Sequence, residues 1–170
     1  ARKWPLILNL LRSIGVRCEH DLTEAPGHAR ELAREAAQKG HELVVSVGGD
    51  GTINEVVNGL YEANALADAT LGIISTGTGH DYIRTLGIPW SYPEACQLLM
   101  NPQKRTVDVG AVEFCRDGHV EKRLFVNFSG IGFDAEVVKA TTQKVKKLRS
   151  TASYLTGLFR TLITYKNKGV

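Results

Sequence analysis

The clearest chemical signal in the sequence is residues 48–52 (GGDGT), a run of glycines around one carboxylate, between a short apolar run and an amphipathic segment. Consecutive glycines let a backbone approach a phosphate group without a side chain in the way. Their amides and the N-terminus of a following helix offer donors and a positive dipole end to an anion. Asp50 would repel a phosphate unless a cation lay between them, so it indicates Mg²⁺. The alternative is a tight strand-to-helix turn that Asp50 merely caps.

A second glycine-rich turn, residues 76–81 (TGTGHD), follows the next apolar run. Because the carboxyl ends of neighbouring parallel strands lie along one edge of a sheet, the two turns are expected to face one pocket. Asp81 would join Asp50 there. Asp108 is a third acid, within the apolar stretch 107–109, and buried acids are usually paired or bound to a metal. An edge or turn position for Asp108 is equally open.

The elements that would hold these turns alternate between helix and strand. Short apolar runs at 43–47 and 71–74 are typical of buried parallel strands, and the alternation over 16–22 predicts a further strand. The pattern predicts an α/β fold with three α/β/α layers around a mostly parallel sheet. Apolar residues at helical spacing predict helices over 4–14 and 28–39, after 52, after 79 and around 93–100.

The pattern changes after residue 104. Residues 106–114 and 122–129 are predicted to form two strands joined by an Asp-Gly turn within 116–119, and residues 135–165 are helix-prone. We therefore divide the chain into an α/β domain, residues 1–104, and a hairpin with a helical segment, residues 105–170. Since parallel α/β units normally open with a strand, an opening strand is expected to be missing.

Composition and charge narrow the class of protein. Apolar residues make up 43% and charged residues 23% of the chain, as in ordinary globular proteins. No stretch approaches the roughly 18 apolar residues of a membrane span, and no secretory leader is recognisable. The odd, widely spaced cysteines (Cys18, Cys96 and Cys115) indicate free thiols in a reducing compartment, so a cytoplasmic location is expected.

The C-terminal segment is strongly basic. All 18 acidic residues precede residue 139, whereas eight of the 21 basic residues lie within 139–170. This cluster could meet anionic lipid headgroups at an inner membrane surface, or it could form a solvated helix face. Nucleic-acid binding is not expected, because few aromatic residues lie between the basic ones. The residues concerned are Lys144, Lys146, Lys147 and Arg149.

Four motifs together resemble the diacylglycerol kinase catalytic domain family, which includes bacterial soluble lipid kinases, sphingosine kinases and ceramide kinases. They keep the family's order over nearly the whole chain. GGDGT alone is shared with NAD kinases and phosphofructokinases, whereas GTGxD followed by an Arg and LGIP is much more specific to lipid kinases. The motifs are GGDGTINEVVNGL from residue 48, GTGHDYIRTLGIP from residue 77, VDVG at 107–110 and FVNFSGIGFDAEV at 125–137.

The resemblance implies a lipid kinase that transfers the γ-phosphate of ATP, with Mg²⁺, to a lipid hydroxyl such as that of diacylglycerol. It also implies the N-terminal fold of NAD kinases and diacylglycerol kinases. A metal and water network is implied at Asp50, Asp81 and Asp108. Nucleotide contacts are implied at Thr23, Gly48, Gly49, Asp50, Gly51, Thr52, Ile53, Asn54, Gly77 and Thr78.

In the family an all-β second domain carries the general base, and the sequence shows no counterpart of it. No catalytic residue is therefore assigned, and the chain alone is expected to bind nucleotide weakly and to catalyse poorly or not at all. His80 stands where the family has Asn, and Ser75 and Thr76 replace Pro-Leu. Because Asn and His place donor and acceptor differently, nucleotide geometry or metal affinity is expected to differ.

Two rival functions stay open at this point. One is an NAD-kinase-like phosphotransferase, and the other is a non-catalytic nucleotide-sensing domain with a degraded site, for which His80 is the best support. The sequence leaves the lipid substrate and the oligomeric state undetermined.

Overall fold

The computed structural model describes residues 3–137 and 162–163 of the chain. Contacts divide it into two compact units, Ala1–Asn127 and Phe128–Val170. In the second unit, residues 133–137 and 162–163 are helical. The elements of the first unit are α1 (Trp4–Ser13), α2 (His28–Gln38), β1 (Leu43–Gly48), α3 (Asp50–Glu62), β2 (Thr70–Ser75), α4 (Asp81–Leu86), α5 (Tyr92–Leu98), β3 (Gly110–Arg116) and β4 (His119–Phe125).

The centre of the first unit is a parallel pair of strands. β1 and β2 run side by side from Leu43 opposite Thr70 to Gly48 opposite Ser75. Parallel neighbours need a crossover connection, and α3 provides it. The predicted α/β class with a parallel sheet is thereby confirmed.

Helices cover both faces of this pair, so its side chains alternate between two apolar layers. On one face α1 and α5 bury Ile7, Leu11, Ile74, Ala95 and Cys96 together. On the other face α2 and α3 bury Ala29, Ala33, Val56 and Leu60. A third cluster joins α3, β2 and α4 through Ile53, Ile73, Tyr82 and Ile83. The three layers place both glycine-rich turns at the carboxyl ends of β1 and β2.

The antiparallel hairpin of β3 and β4 is attached to α3 by one buried side chain. Its Asp-Gly turn has positive φ at both Asp117 (49°) and Gly118 (80°), as a two-residue hairpin loop requires. Asn58 donates to the Leu124 carbonyl at 3.0 Å and accepts from the Leu124 amide at 2.9 Å. The side-chain amide of Asn58 thus satisfies β4 as a neighbouring strand would.

We expect Asn58→Ala to lower the free energy of unfolding by about 2–3 kcal/mol, because it leaves the buried amide and carbonyl of Leu124 unpaired. Chemical denaturation of the full chain measures this loss, and hydrogen exchange at the Leu124 amide should accelerate. Asn9→Ala, on the exposed side of α1, is the matched control and should change stability by less than about 0.5 kcal/mol. Equal effects of the two substitutions would contradict the role of Asn58.

Three predicted strands differ from the structure. Residues 16–24 adopt no regular structure, because the alternation there finds no partner strand in the described part of the chain, and Leu22 is 58% exposed. The hairpin strands are shifted, since the turn at Asp117 and Gly118 sets their register and β3 begins only at Gly110. Asp108, which the sequence placed within a strand, therefore lies outside β3.

The division at residue 104 remains a prediction about domains, although the hairpin lies within the first compact unit. Most of the predicted helical segment 135–165, including the basic cluster, lies outside the described residues. None of the helices in the described part of the chain combines the length and the hydropathy of a membrane-spanning segment. The three cysteines are free, with Cys96 buried and Cys18 and Cys115 exposed, as expected.

Candidate functional site

The two glycine-rich turns lie directly against each other. The Thr76 amide donates to the Gly48 carbonyl at 2.9 Å. A Cβ added to Gly77 would stand 2.6 Å from the Cα of Gly49. Any side chain at Gly77 would therefore push the turns apart, and glycine is needed there for a close backbone approach. The structure brings the turns to one place, as the parallel order of the strands predicted.

The N-terminus of α3 opens at this contact. Its first helical hydrogen bond runs from the Ile53 amide to the Gly49 carbonyl at 3.1 Å, so the amides of residues 50–52 have no acceptor within the helix. Gly51 is exposed at this end. The helix dipole adds a positive partial charge at the same end. The local arrangement can therefore receive an anion.

Two carboxylates lie beside this helix end. Asp50 Oδ1 accepts the backbone amide of Tyr82 in α4 at 3.3 Å. Asp50 Oδ2 and Asp81 Oδ2 lie 2.8 and 3.5 Å from the point where a Cβ on Gly79 would stand. Asp50 is itself the first residue of α3, whose cap is Gly49. Asp50 therefore caps α4 with one oxygen and faces Gly79 and Asp81 with the other.

The remaining predicted ligand residues are placed as follows. Asp108 is exposed in the irregular stretch 102–109. Within the described part of the chain, no group of three or more His, Cys, Asp or Glu side chains could hold a metal ion. The geometry thus brings Asp50 and Asp81 together without showing Asp108 beside them, and its metal role stays a prediction.

The other predicted nucleotide contacts divide by exposure. Thr23 and Thr78 are exposed, in irregular segments on either side of β1 in the chain. Gly49, Thr52, Asn54 and Gly77 are partly buried, and Gly48 is buried. The side chain of Ile53 is fully buried in the core with α4. Any ligand contact from Ile53 would therefore come from its backbone.

His80, the departure from the family motif, is held by its neighbours. Its φ of 59° is left-handed, a conformation in which Asn, Asp and His are all enriched, so the exchange of Asn for His preserves the backbone. The ring Nδ1 and Ser75 Oγ are 2.8 Å apart. The ring also stacks on Trp90, with centroids 5.6 Å apart and planes 11° apart. Ser75 and His80, both departures from the family, thus form one hydrogen-bonded pair.

Burial shifts the pKa of two groups near these elements. Desolvation raises the pKa of the Tyr82 phenol above its usual 10.0, although the Arg105 guanidinium opposes the shift. Burial likewise raises the pKa of the Cys96 thiol above its usual 9.0. Both groups are therefore neutral at physiological pH.

Sequence reasoning missed three residues on α3. Glu55 accepts hydrogen bonds from the backbone before and within α2, Asn58 fixes the hairpin, and Gly59 lets α2 approach. A Cβ on Gly59 would stand 2.1 Å from the Arg30 carbonyl oxygen. One signal for them was present in the sequence: polar residues and a glycine interrupt the apolar pattern of α3. Such interruptions indicate polar contacts or a close backbone approach in addition to apolar packing.

Comparison with known proteins identifies the class. The sequence profile of the diacylglycerol kinase catalytic domain matches residues 1–112. The chain belongs to this family.

Individual relatives agree with this membership. The chain is 35% identical over 151 residues to the "Probable lipid kinase YegS-like" protein of Enterobacter sp. (strain 638), covering 88% of this chain and 48% of that protein. It is 34% identical over 154 residues to the diacylglycerol kinase of Bacillus subtilis (strain 168), covering 89% and 48%. The chain thus spans about half the length of the curated relatives it matches.

Solved structures give the same result for the fold. A diacylglycerol kinase crystal structure from Bacillus anthracis str. Sterne superposes with a TM-score of 0.55 at 32% identity, covering 68% of this chain and 42% of its own. A second structure from that organism reaches a TM-score of 0.62 at 32% identity and covers 81% and 48%. The fold is therefore of the diacylglycerol kinase type.

Proposed function

We propose that this chain is the nucleotide-binding portion of an ATP- and Mg²⁺-dependent kinase that phosphorylates a lipid hydroxyl such as that of diacylglycerol. One observation carries the proposal: Asp50 and Asp81 flank Gly79 where the two glycine-rich turns meet, beside the N-terminus of α3. Family membership supports a kinase of this class. ATP, Mg²⁺ and the lipid are part of the proposal.

The residues present suit Mg²⁺. Carboxylate oxygens are the protein ligands that Mg²⁺ prefers, and it is usually held by one or two of them together with waters and substrate phosphates. Asp50 Oδ2 and Asp81 Oδ2 supply that number, and Gly79 leaves open the space that a Cβ would fill. The resemblance adds Asp108, whose exposed carboxylate is accessible to a hydrated ion. When bound, the metal neutralises charge on the transferred phosphoryl group.

The chain's own residues would bind and orient the nucleotide. The backbone of residues 48–54 would hold its phosphates at the α3 N-terminus, with Gly77 and Thr78 beside them and Thr23 as a further contact. In kinases of any class, positioning and charge neutralisation supply most of the catalysis. No described residue is proposed as the base for the lipid hydroxyl.

Transfer of labelled γ-phosphate from ATP tests the proposal. The 170-residue chain and the longest natural protein that contains it would each be offered diacylglycerol micelles, sphingoid micelles and NAD in parallel. Label in a lipid would support the proposal and narrow the substrate. Label in NAD would contradict it in favour of an NAD kinase, and ATP binding without any transfer by the longer protein would favour a sensing domain.

The contacts of His80 allow a test of the alternative function, a nucleotide-sensing domain with a degraded site. We expect His80→Asn to leave the Kd for ATP unchanged or raised, and to lower the free energy of unfolding by about 1 kcal/mol because buried Ser75 loses its partner. Calorimetric titration and denaturation measure the two effects. Combining the change with Ser75→Ala should make the stability losses less than additive. A tenfold or greater gain in ATP affinity would contradict this prediction and indicate a degraded site.

A further inference from the structure

Glu55 joins two segments that lie far apart in the chain. Its carboxylate accepts the Gly27 amide at 2.9 Å through Oε1 and the Ala29 amide at 3.2 Å through Oε2. Gly27 is the N-cap of α2, with φ of 90° and no side chain to serve as a cap. A carboxylate from α3 therefore caps α2, where the positive end of the helix dipole favours it.

The segment that Glu55 holds leads directly back to Thr23. The Glu24 amide donates to Nδ1 of His28, the first residue of α2, at 3.1 Å. Two successive contacts therefore connect α3 to the residue after Thr23: Glu55 fixes the start of α2, and His28 fixes the Glu24 backbone. The same helix, α3, carries the glycine-rich turn at its N-terminus.

We infer that Glu55 is a positioning residue that sets where Thr23 stands relative to the glycine-rich turn, and so sets the affinity for the nucleotide. This inference rests on the proposed nucleotide site. Glu55 itself contacts backbone amides of the segment before α2 and of α2, and it acts through Thr23. Its role differs from that of Asp50, which lies at the turn.

A matched pair of substitutions isolates this role. Glu55→Gln keeps one acceptor oxygen but turns an NH₂ group toward a second backbone amide and removes the charge. Glu62→Gln removes the charge from another polar link between α3 and α2, the 3.1 Å ion pair with Arg30, which does not involve the Gly27 or Ala29 amides. In the full chain, with Mg²⁺ present, Glu55→Gln should raise the Kd for ATP about tenfold. Glu62→Gln should change it less than about twofold.

A double-mutant cycle with Thr23→Ala separates positioning from general destabilisation. If Glu55 acts through Thr23, Glu55→Gln should raise the Kd little further in the Thr23→Ala chain. Equal factors in both backgrounds, or equal effects of Glu55→Gln and Glu62→Gln, would overturn the inference while leaving the proposed function intact. A wild-type chain and longer parent protein that bind no ATP would overturn the proposed function and this role with it.

Two measurements made without nucleotide complete the test. Thermal unfolding shows whether each variant is folded, and amide exchange shows whether the contacts of Glu55 are lost. The Gly27 and Ala29 amides should exchange faster in Glu55→Gln than in Glu62→Gln, since only the first substitution removes one of their two acceptor oxygens. If Glu55→Gln proves unfolded, Glu55→Asp replaces it. The shorter carboxylate keeps the charge and should give an intermediate Kd. A wild-type Kd for Glu55→Asp while both amides exchange faster than in the wild type would overturn the inference, because the contacts would then be lost without any effect on nucleotide affinity.

Discussion

Gly59→Ala is expected to lower the free energy of unfolding by about 3 kcal/mol. The added Cβ would stand 2.1 Å from the Arg30 carbonyl oxygen and 2.9 Å from the Ala33 Cβ, so α2 and α3 must move apart. Overpacking of a tight interface typically costs about 1–3 kcal/mol and occasionally more. Because backbone rather than a flexible side chain stands in the way, we expect the upper end of that range.

Gly51→Ala is the control for Gly59→Ala. Gly51 is on the same helix, is exposed, and has nothing within 4 Å of an added Cβ. Alanine should stabilise the chain there by about 0.5 kcal/mol, because it restricts the unfolded backbone more than glycine does. Urea denaturation of both variants measures the contrast. The same midpoint for Gly59→Ala and the wild type would show that the two helices do not require glycine at this contact.

Asp50→Asn is expected to weaken Mg²⁺-dependent ATP binding about 100-fold or more while leaving the fold intact. Loss of a residue that merely supports a metal ligand costs about 10- to 100-fold in metal affinity, so loss of a ligand should cost at least the upper value. The fold is kept because Asn Oδ1 can still accept the Tyr82 amide, as Asp50 Oδ1 does. The change in unfolding free energy should stay below about 1 kcal/mol.

Binding with and without the metal distinguishes this role from simple capping. In the presence of chelator, Asp50→Asn should bind ATP as well as the wild type or better, because a charge that repels phosphate is gone. Asp68→Asn, in the exposed connection before β2, should leave both affinities unchanged. If Asp50→Asn retained the wild-type dependence on Mg²⁺, Asp50 would be a cap for α4 and nothing more.

Local patterns in the sequence predicted much of this molecule. Helices α1 and α2 and strands β1 and β2 were found within one or two residues, because helical spacing of apolar residues and short continuous apolar runs are local properties of the chain. The hairpin turn was found because Asp117 and Gly118 suit positive φ. Strand 16–22 was wrong, since an alternating pattern also arises where, as in the described part of this chain, no partner strand lies beside it.

The site was predictable in part. Parallel strand order was enough to expect the two turns to meet, and the glycines marked where backbones approach. The capping of α4 by Asp50 was not predictable, because the Tyr82 amide is 32 residues away and only packing decides which amide the carboxylate meets. The hydrogen bonds between Glu55 and Gly27 and between Asn58 and Leu124 could not be predicted from the sequence for the same reason.

The sequence by itself determined the α/β class, the family and the positions of the two glycine-rich turns, since these depend on neighbouring residues and on short motifs. Only the tertiary structure decided that Asp50 and Asp81 flank Gly79, that Ser75 and His80 are partners, and that polar side chains of α3 bind the backbone of α2 and of the hairpin. These contacts join residues up to 66 positions apart. The contacts made by α3 have no local pattern that encodes them, because each depends on how separately formed elements pack.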